Sequence, residues 1–592
     1  MLVSKAICYD ISSMNSNESP RPRTRFQWMG AICALLTFGV VAALHTFTSK
    51  GTTTLEAVVI SVASLLLFFP MLRMSHPPSQ AWKYQQAYTK TLITLLSMAA
   101  IFSCIRYLMI SRVMVGGVDW YYYLCYSRDM VNSHPVAENA YSYFPGVYVF
   151  WTSVMRLVGQ ELPALQSFFQ LALIAVCLLT GWIVRQHTDC KVLTLFSIFW
   201  TFVLLTKFDG LTGVTESLAV APWLIGLLLW RGQPLDHHQP LWRIGLFGAA
   251  IGFTVFTKQQ AGLLSLGFAY LIAEQLQKTN KPHVWKHLLF VPVTAGITLV
   301  LLVLGQGNGL SPLVMGVKTA GQYGTEQSWL LNLYTQVRHD ESLWITISIA
   351  SVLFLGRKRW ISTNPTTNQP SWRLIGFSLV AIMATLLQFR ARPFHHYMLL
   401  SIPAMVIACS ITYYHYRSWL KDSKRKRIIV GAILILPCIW FAPYNDSYHP
   451  LRLSMPNTTQ WDRQHTAVHD PNTEAMIARL EKQIPAASRM LIMPGQYNHI
   501  HFALKSLSDT ETGYNFRTRQ FTSEDQSWQA PLEQTSAEFV LLLTDSTISE
   551  ADQKRWSERR IKAKDLLKTR DYVPIPDSLA PKQGILFRKK GF

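Results

Sequence analysis

Charge is what this chain has least of. Of 592 residues only 15% are Asp, Glu, Lys or Arg, against 49% hydrophobic, where a soluble globular protein carries about a quarter charged residues. With a mean hydropathy of +0.17, that scarcity argues against a cytosolic enzyme or a nucleic-acid-binding module. The eight cysteines stand singly, with no C-x-x-C pair and none after Cys438. Zinc ribbons, iron–sulfur clusters and a disulfide-stapled tail therefore have no footing. No H-E-x-x-H occurs, and no G-x-G-x-x-G follows a strand pattern, so neither a histidine zinc site nor a Rossmann-type nucleotide site is supported.

What is abundant is apolar and aromatic, with 30 Phe, 23 Tyr and 19 Trp. Stretches long enough to cross about 30 Å of hydrocarbon recur through the first three quarters of the chain. They fall near 26–46, 54–72, 91–110, 164–184, 192–206, 214–230, 243–257, 260–277, 287–304, 342–356, 372–389, 395–414 and 428–442. The expected fold class is thus mainly α, a polytopic membrane protein of about thirteen spans. The formal charge of +21 fits basic cytoplasmic loops better than a nucleic-acid footprint. With Arg21, Arg23 and Arg25 placed inside, strict alternation puts Arg73, Lys83, Arg185, Lys191, Arg231 and Arg243 inside as well. The same holds for Lys278, Arg357–Arg359 and the basic run at 424–427. Each predicted inside loop is basic, as the positive-inside rule requires, and the C-terminus is expected outside.

Residues 144–159, FPGVYVFWTSVMRLVG, are apolar enough to suggest another span. Counting it would reverse every later loop, so the segment is read as an amphipathic helix at the outer face. The chain then divides into an N-terminus with three spans (1–110), an outer loop (111–163), the remaining membrane core with an outer loop at 305–341 (164–442), and an extracytoplasmic α/β domain (443–592). In that last part 475–485 has helical spacing, while 489–495 and 538–545 read as buried strands.

Polar residues gather where outer loops meet span ends. Asp119 leads the aromatic run of 116–130, which also offers Tyr122 as a substrate-contacting ring. A carboxylate there could take a proton from a hydroxyl nucleophile or hold a divalent metal such as Mg2+ or Mn2+. An interfacial aromatic belt with a capping aspartate explains the same residues. Asp129 reads as a surface charge. Asp209 and Glu216 lie in the next outer loop, and an acid opening a span must face protein or water, although a helix N-terminus also favours one. Lys258 occupies a short outer turn, suited to a phosphate or simply to snorkelling. Arg390 and Arg392 stand outside against the charge bias, with His395, His396 and Tyr397 following. Guanidinium groups near the bilayer suit a lipid-linked phosphate, which they match bidentately.

Taken in order, these features resemble a family. The series is an outer-loop aspartate, an F-P-G-x-Y stretch leading to L-V-G, an acid opening a span, and a T-K turn (Thr257, Lys258). A long outer loop and arginines before H-x-Y-x-L-x-x-x-P (395–403) complete it. It is similar to the polytopic glycosyltransferases of the GT-C class, specifically bacterial relatives of protein mannosyltransferases and of the lipid A aminoarabinose transferase. The resemblance implies that the first outer loop folds into juxtamembrane helices and that Asp119 is central to catalysis. It further implies a second acid at Glu216, where the usual aspartate is replaced, with Asp209 as substitute. Lys258 and Arg390 or Arg392 would bind the donor phosphate, with His396, Tyr397 and Tyr122 near the substrate. The implied reaction moves a sugar from a polyprenyl-phosphate donor to a protein, lipid or glycan acceptor, with inversion, at the outer face of a bacterial inner membrane. The family's paired acids and Glu-Lys-Pro-Pro motif are missing from the first loop. Metal dependence and an aminoarabinose donor are therefore not implied. A lipid-linked polysaccharide polymerase or ligase, and more distantly a transporter or flippase, remain alternative readings.

Overall fold

The computed structural model describes residues 118–133, 145–207, 215–233, 239–278, 282–305, 314, 328–339, 341–356, 369–390, 395–421, 471–493, 498–508, 529–544, 550–576, 579 and 583–591. All of them belong to one compact unit, 110–592. The expected spans at 26–46, 54–72, 91–110 and 428–442 lie outside the described residues, as does most of the loop at 305–341.

The helical part opens with α1 (Val118–Val131) and α2 (Gly146–Val158). It continues through α3 (Leu162–Thr188), α4 (Lys191–Lys207), α5 (Thr215–Trp230) and α6 (Leu241–Thr257). A 3-10 segment (Gln259–Gly267) leads into α7 (Phe268–Lys278), so the expected span at 260–277 begins as 3-10 and turns α-helical only in its second half. Gly267 sits against the Phe377 backbone, where an added Cβ would come within 2.7 Å of the carbonyl oxygen. Next come α8 (Pro282–Leu304), α9 (Trp329–His339), α10 (Glu341–Leu355) and α11 (Gln369–Thr385). Two 3-10 turns, Leu386–Arg390 and His395–Leu400, precede α12 (Ile402–Lys421).

Among the described residues three helices are long and apolar enough to cross a membrane, Ala164–Thr188, Lys286–Leu304 and Pro370–Gln388. Shorter apolar helices accompany them. The face of α8 bearing Leu289, Val293, Ile297 and Leu301 is exposed, as expected of a helix that meets lipid. Its other side packs closely on α6, because a Cβ at Gly252 would strike the backbone around Ala295. Gly248 and Gly252 form the small-xxx-small spacing that lets membrane helices approach.

The segment at 144–159 forms a helix of 13 residues, reaching about 20 Å at 1.5 Å per residue. Val147, Tyr148, Trp151, Val154 and Met155 are buried, whereas Ser153, Arg156 and Leu157 are exposed. It is amphipathic, as expected, and Val147–Met155 supply the packed face.

The C-terminal part is an α/β layer structure. A five-stranded sheet has the order β2-β1-β3-β5-β4, from β1 (Arg489–Met493), β2 (Leu507–Ser508), β3 (Phe539–Leu543), β4 (Tyr572–Pro574) and β5 (Gly584–Lys589). Strand β1 is parallel to β2 and β3, while β5 runs antiparallel to β3 and β4. Strand alternation sends Leu491, Met493, Val540 and Leu542 to one face, against Trp556, Ala563 and Leu567 of α16 (Glu550–Thr569). Met490, Ile492, Leu541 and Leu543 face the other way, onto Met476 and Leu480 of α13 (Pro471–Leu480) and Ile500 of α14 (Asn498–Ala503). A one-turn helix, α15 (Ala530–Gln534), leads to β3. Both expected strands are present, at 489–493 and 539–543.

Candidate active site

Glu216 lies in the first turn of α5, where the exposed amides of a helix N-terminus favour an acid. Lys258 follows the last residue of α6 in extended conformation, its amide donating to the Thr254 carbonyl at 3.2 Å. The two side chains meet: the Lys258 ammonium donates to Glu216 Oε1, and both residues are buried. The Thr215 hydroxyl reaches Glu216 Oε2 at 3.5 Å. Removing either partner of such a buried pair leaves an uncompensated charge, typically costing about 3–5 kcal/mol. In sequence these are an acid and a cation in separate loops. In the fold they are one group.

Helix α2 abuts the end of α6, just before Lys258. A Cβ at Gly146 would fall on the Phe256 carbonyl and lie 2.7 Å from Thr257 Cα, so only glycine lets the start of α2 rest on the end of α6. The glycine of the F-P-G motif thus sets the start of α2 against Thr257 of the T-K turn. Helix α1 is fastened to α2 in turn. The Ser127 hydroxyl donates to the Tyr148 carbonyl at 3.1 Å, and the Thr152 hydroxyl to the Ser127 carbonyl at 3.3 Å.

Asp119 is in the first turn of α1, and its side chain lies outside the described residues. Tyr122 is buried in a ring cluster, edge-on to Tyr126 at 4.8 Å and Tyr123 at 6.0 Å. Tyr148 of α2 completes the cluster, and burial together with the neighbouring tyrosines raises its hydroxyl well above the ordinary tyrosine range. Tyr122 therefore belongs to the packing that joins α1 and α2.

The His395–Leu400 turn packs against α5, which brings the H-x-Y segment to the helix that carries Glu216. The Gln388 amide donates to the Tyr397 carbonyl at 3.0 Å and ties the two 3-10 turns together. The Trp329 indole of α9 donates to the Leu386 carbonyl at 3.3 Å. Arg390 ends the first turn and His396 lies in the second, but their side chains, with all of Arg392 and Asp209, are outside the described residues. Among the described residues no three His, Cys, Asp or Glu side chains gather where a metal ion could be held.

Two residues were misjudged or missed from the sequence. Asp129, expected at the surface, is fully buried. Its neighbour Arg128 is buried too and reaches across to the C-terminal sheet unit. The available signal was their position: both follow closely on the aromatic run Trp120–Tyr126 of one helix, all of it buried.

No family model matches the chain, and no curated protein matches it in sequence. Solved structures do match in fold. One is ArnT from Cupriavidus metallidurans bound to undecaprenyl phosphate, with a TM-score of 0.52, 12% identity, and coverage of 85% of this chain and 98% of that one. The apo state of the same protein aligns with a TM-score of 0.50 at 11% identity, covering 85% and 98% of the two chains. Archaeal oligosaccharyltransferase AglB from Archaeoglobus fulgidus, in complex with an inhibitory peptide and a dolichol-phosphate, aligns with a TM-score of 0.39 at 12% identity over 84% and 74%. The chain has the fold of the GT-C glycosyltransferases.

Proposed function

We propose that this chain is an inverting glycosyltransferase that moves a sugar from a polyprenyl-phosphate donor to an acceptor hydroxyl or amine at the outer face of a membrane. One observation carries the reading: a buried lysine–glutamate pair is built where the first outer loop, through Gly146, meets the T-K turn. It is supported by a fold shared with a protein crystallised with undecaprenyl phosphate.

The reaction uses this chain's own side chains. An acceptor oxygen or nitrogen attacks the anomeric carbon from the face opposite the phosphate, and Asp119 takes its proton. The anomeric C–O bond breaks as the new bond forms, and polyprenyl phosphate leaves with the electron pair. Negative charge grows on the leaving oxygen, where a positioned cation lowers the barrier most. Lys258 fills that role with Arg390 or Arg392. An ammonium has three N–H donors, so a bond to Glu216 is compatible with a second to a phosphate oxygen. Glu216 is in this reading the residue that orients Lys258, rather than a second proton acceptor. His396 and Tyr397 lie on the turn packed against α5 and would flank the donor. A divalent ion, if one binds, would need Asp119 as a ligand and would add charge stabilisation at the same phosphate.

The test follows release of free polyprenyl phosphate from a panel of polyprenyl-phosphate monosaccharides. Wild-type protein should release it with one sugar, and Asp119→Asn should not. Release by both proteins removes Asp119 from the mechanism, and no release by folded protein with any donor and acceptor overturns the reading.

A further inference from the structure

Arg128 closes the last turn of α1, the helix whose first turn holds Asp119. Its guanidinium is buried and bonds three backbone carbonyls of the C-terminal sheet unit. Nη1 donates to Phe502 O at 2.9 Å, and Nη2 donates to His501 O at 3.0 Å and to Ser506 O at 2.6 Å. The same group stacks over the Phe502 ring at 5.2 Å. His501 and Phe502 end α14, and Ser506 immediately precedes β2. The His501 and Phe502 carbonyls also accept from the Ser506 and Lys505 amides, at 3.2 and 3.3 Å, so the guanidinium takes a further lone pair on each, and a planar fork of donors suits such a cluster better than a single ammonium. Around it, Tyr121 of α1 packs on Phe502 at 5.9 Å and edge-on to His499 at 6.1 Å. A second tie between the sheet unit and the helical part, Lys505 to Glu161 at 3.1 Å, is solvent-exposed. Exposed pairs of that kind contribute little.

We propose that Arg128 is a positioning residue: through it the C-terminal sheet unit sets the placement of α1 and hence of Asp119. The inference rests on the assignment of Asp119 as the proton acceptor. Burial of a guanidinium is costly unless it is hydrogen-bonded, and three of this one's bonds go to a unit remote in sequence. The sheet unit is thereby a working part of the transferase site, holding the acid-bearing helix from behind.

The experiment compares Arg128→Lys, Phe502→Leu, Lys505→Ala and Asp119→Asn in the full chain, with kcat and donor KM from polyprenyl phosphate release. Hydrogen exchange of the 118–131 amides is measured on the same proteins. Arg128→Lys should lower kcat about 10- to 100-fold, the loss expected of a misplacement near 1 Å, with donor KM within about twofold and faster exchange across α1. Phe502→Leu, which keeps the carbonyl bonds, should show a smaller loss in the same direction. Lys505→Ala should match wild type. Wild-type kcat in folded Arg128→Lys overturns the inference, as does a loss confined to KM. If Arg128→Lys does not fold, unchanged kcat and α1 exchange in Phe502→Leu overturn it. Activity retained in Asp119→Asn would instead overturn the underlying assignment, so the two failures are distinct.

Discussion

Glu216 and Lys258 are separated by 42 residues, yet their side chains form one buried ion pair. Each was readable as a candidate because it is a charge at the end of an apolar stretch. Their pairing was not readable, since it depends on how α5 and α6 pack. The pair leads to a prediction about stability. Glu216→Gln or Lys258→Met alone should destabilise the protein by about 3–5 kcal/mol, because one buried charge is left over, while the double variant should lose much less. Thermal unfolding in one detergent, run on all three, measures this; additive losses would mean that the charges are solvated separately. A second residue-scale prediction concerns His499 and His501, buried in the sheet unit. Burial holds His499 at about 4, and burial with the nearby Arg128 and His499 charges holds His501 at about 3. Unfolded histidine titrates near 6.5. As pH falls below about 6.5, the unfolded chain takes up protons that the folded one refuses, so stability drops steadily towards pH 4. Unfolding of the sheet unit between pH 7 and 4.5 should follow that slope, and His499→Phe should flatten it.

Among elements, the helices that carry long apolar runs were legible, and α3, α4, α5, α6 and α8 fall where the runs place them. Two features were not. The span expected at 260–277 starts as a 3-10 segment, whose last residue, Gly267, lies on the Phe377 backbone. The turn at His395–Leu400 is likewise 3-10 before α12 begins. Hydropathy marks both stretches as apolar; it does not report helix type. The short helix α2 and its amphipathic character were legible in the segment's own apolar pattern. Its glycine gives the prediction at this scale. Gly146→Ala should force α2 off the end of α6, at the cost of about 1–3 kcal/mol usual for overpacking, and should lower kcat by displacing the Lys258 turn. The reverse outcome, full activity with unchanged melting, would show that the two backbones are not held in contact.

For the whole molecule, scarcity of charge and repeated apolar runs were enough for a mainly helical fold with several apolar helices, and the order of short motifs was enough for the GT-C resemblance that the fold now bears out. The link between the ends of the chain was hidden. Arg128 and its acceptors at 501–506 are more than 370 residues apart, and nothing in a single arginine announces so distant a partner. Asp129, expected at the surface beside it, is buried as well. The sheet unit is expected on the outer side with the Lys258 turn, so a reporter enzyme active only outside the cell should be active when fused after Phe592. A reporter active only in the cytoplasm should be silent there.

The account turns on one claim, that the buried Glu216–Lys258 pair marks the phosphate end of a lipid-donor site. Binding of undecaprenyl phosphate, with no sugar attached, to protein in lipid nanodiscs tests it most directly, comparing wild type with the Glu216→Gln/Lys258→Met double variant, in which no orphan charge remains. The account predicts saturable binding by wild type and at least about tenfold weaker binding by the folded double variant, the loss of one charge-assisted contact. Equal binding by the two would contradict it.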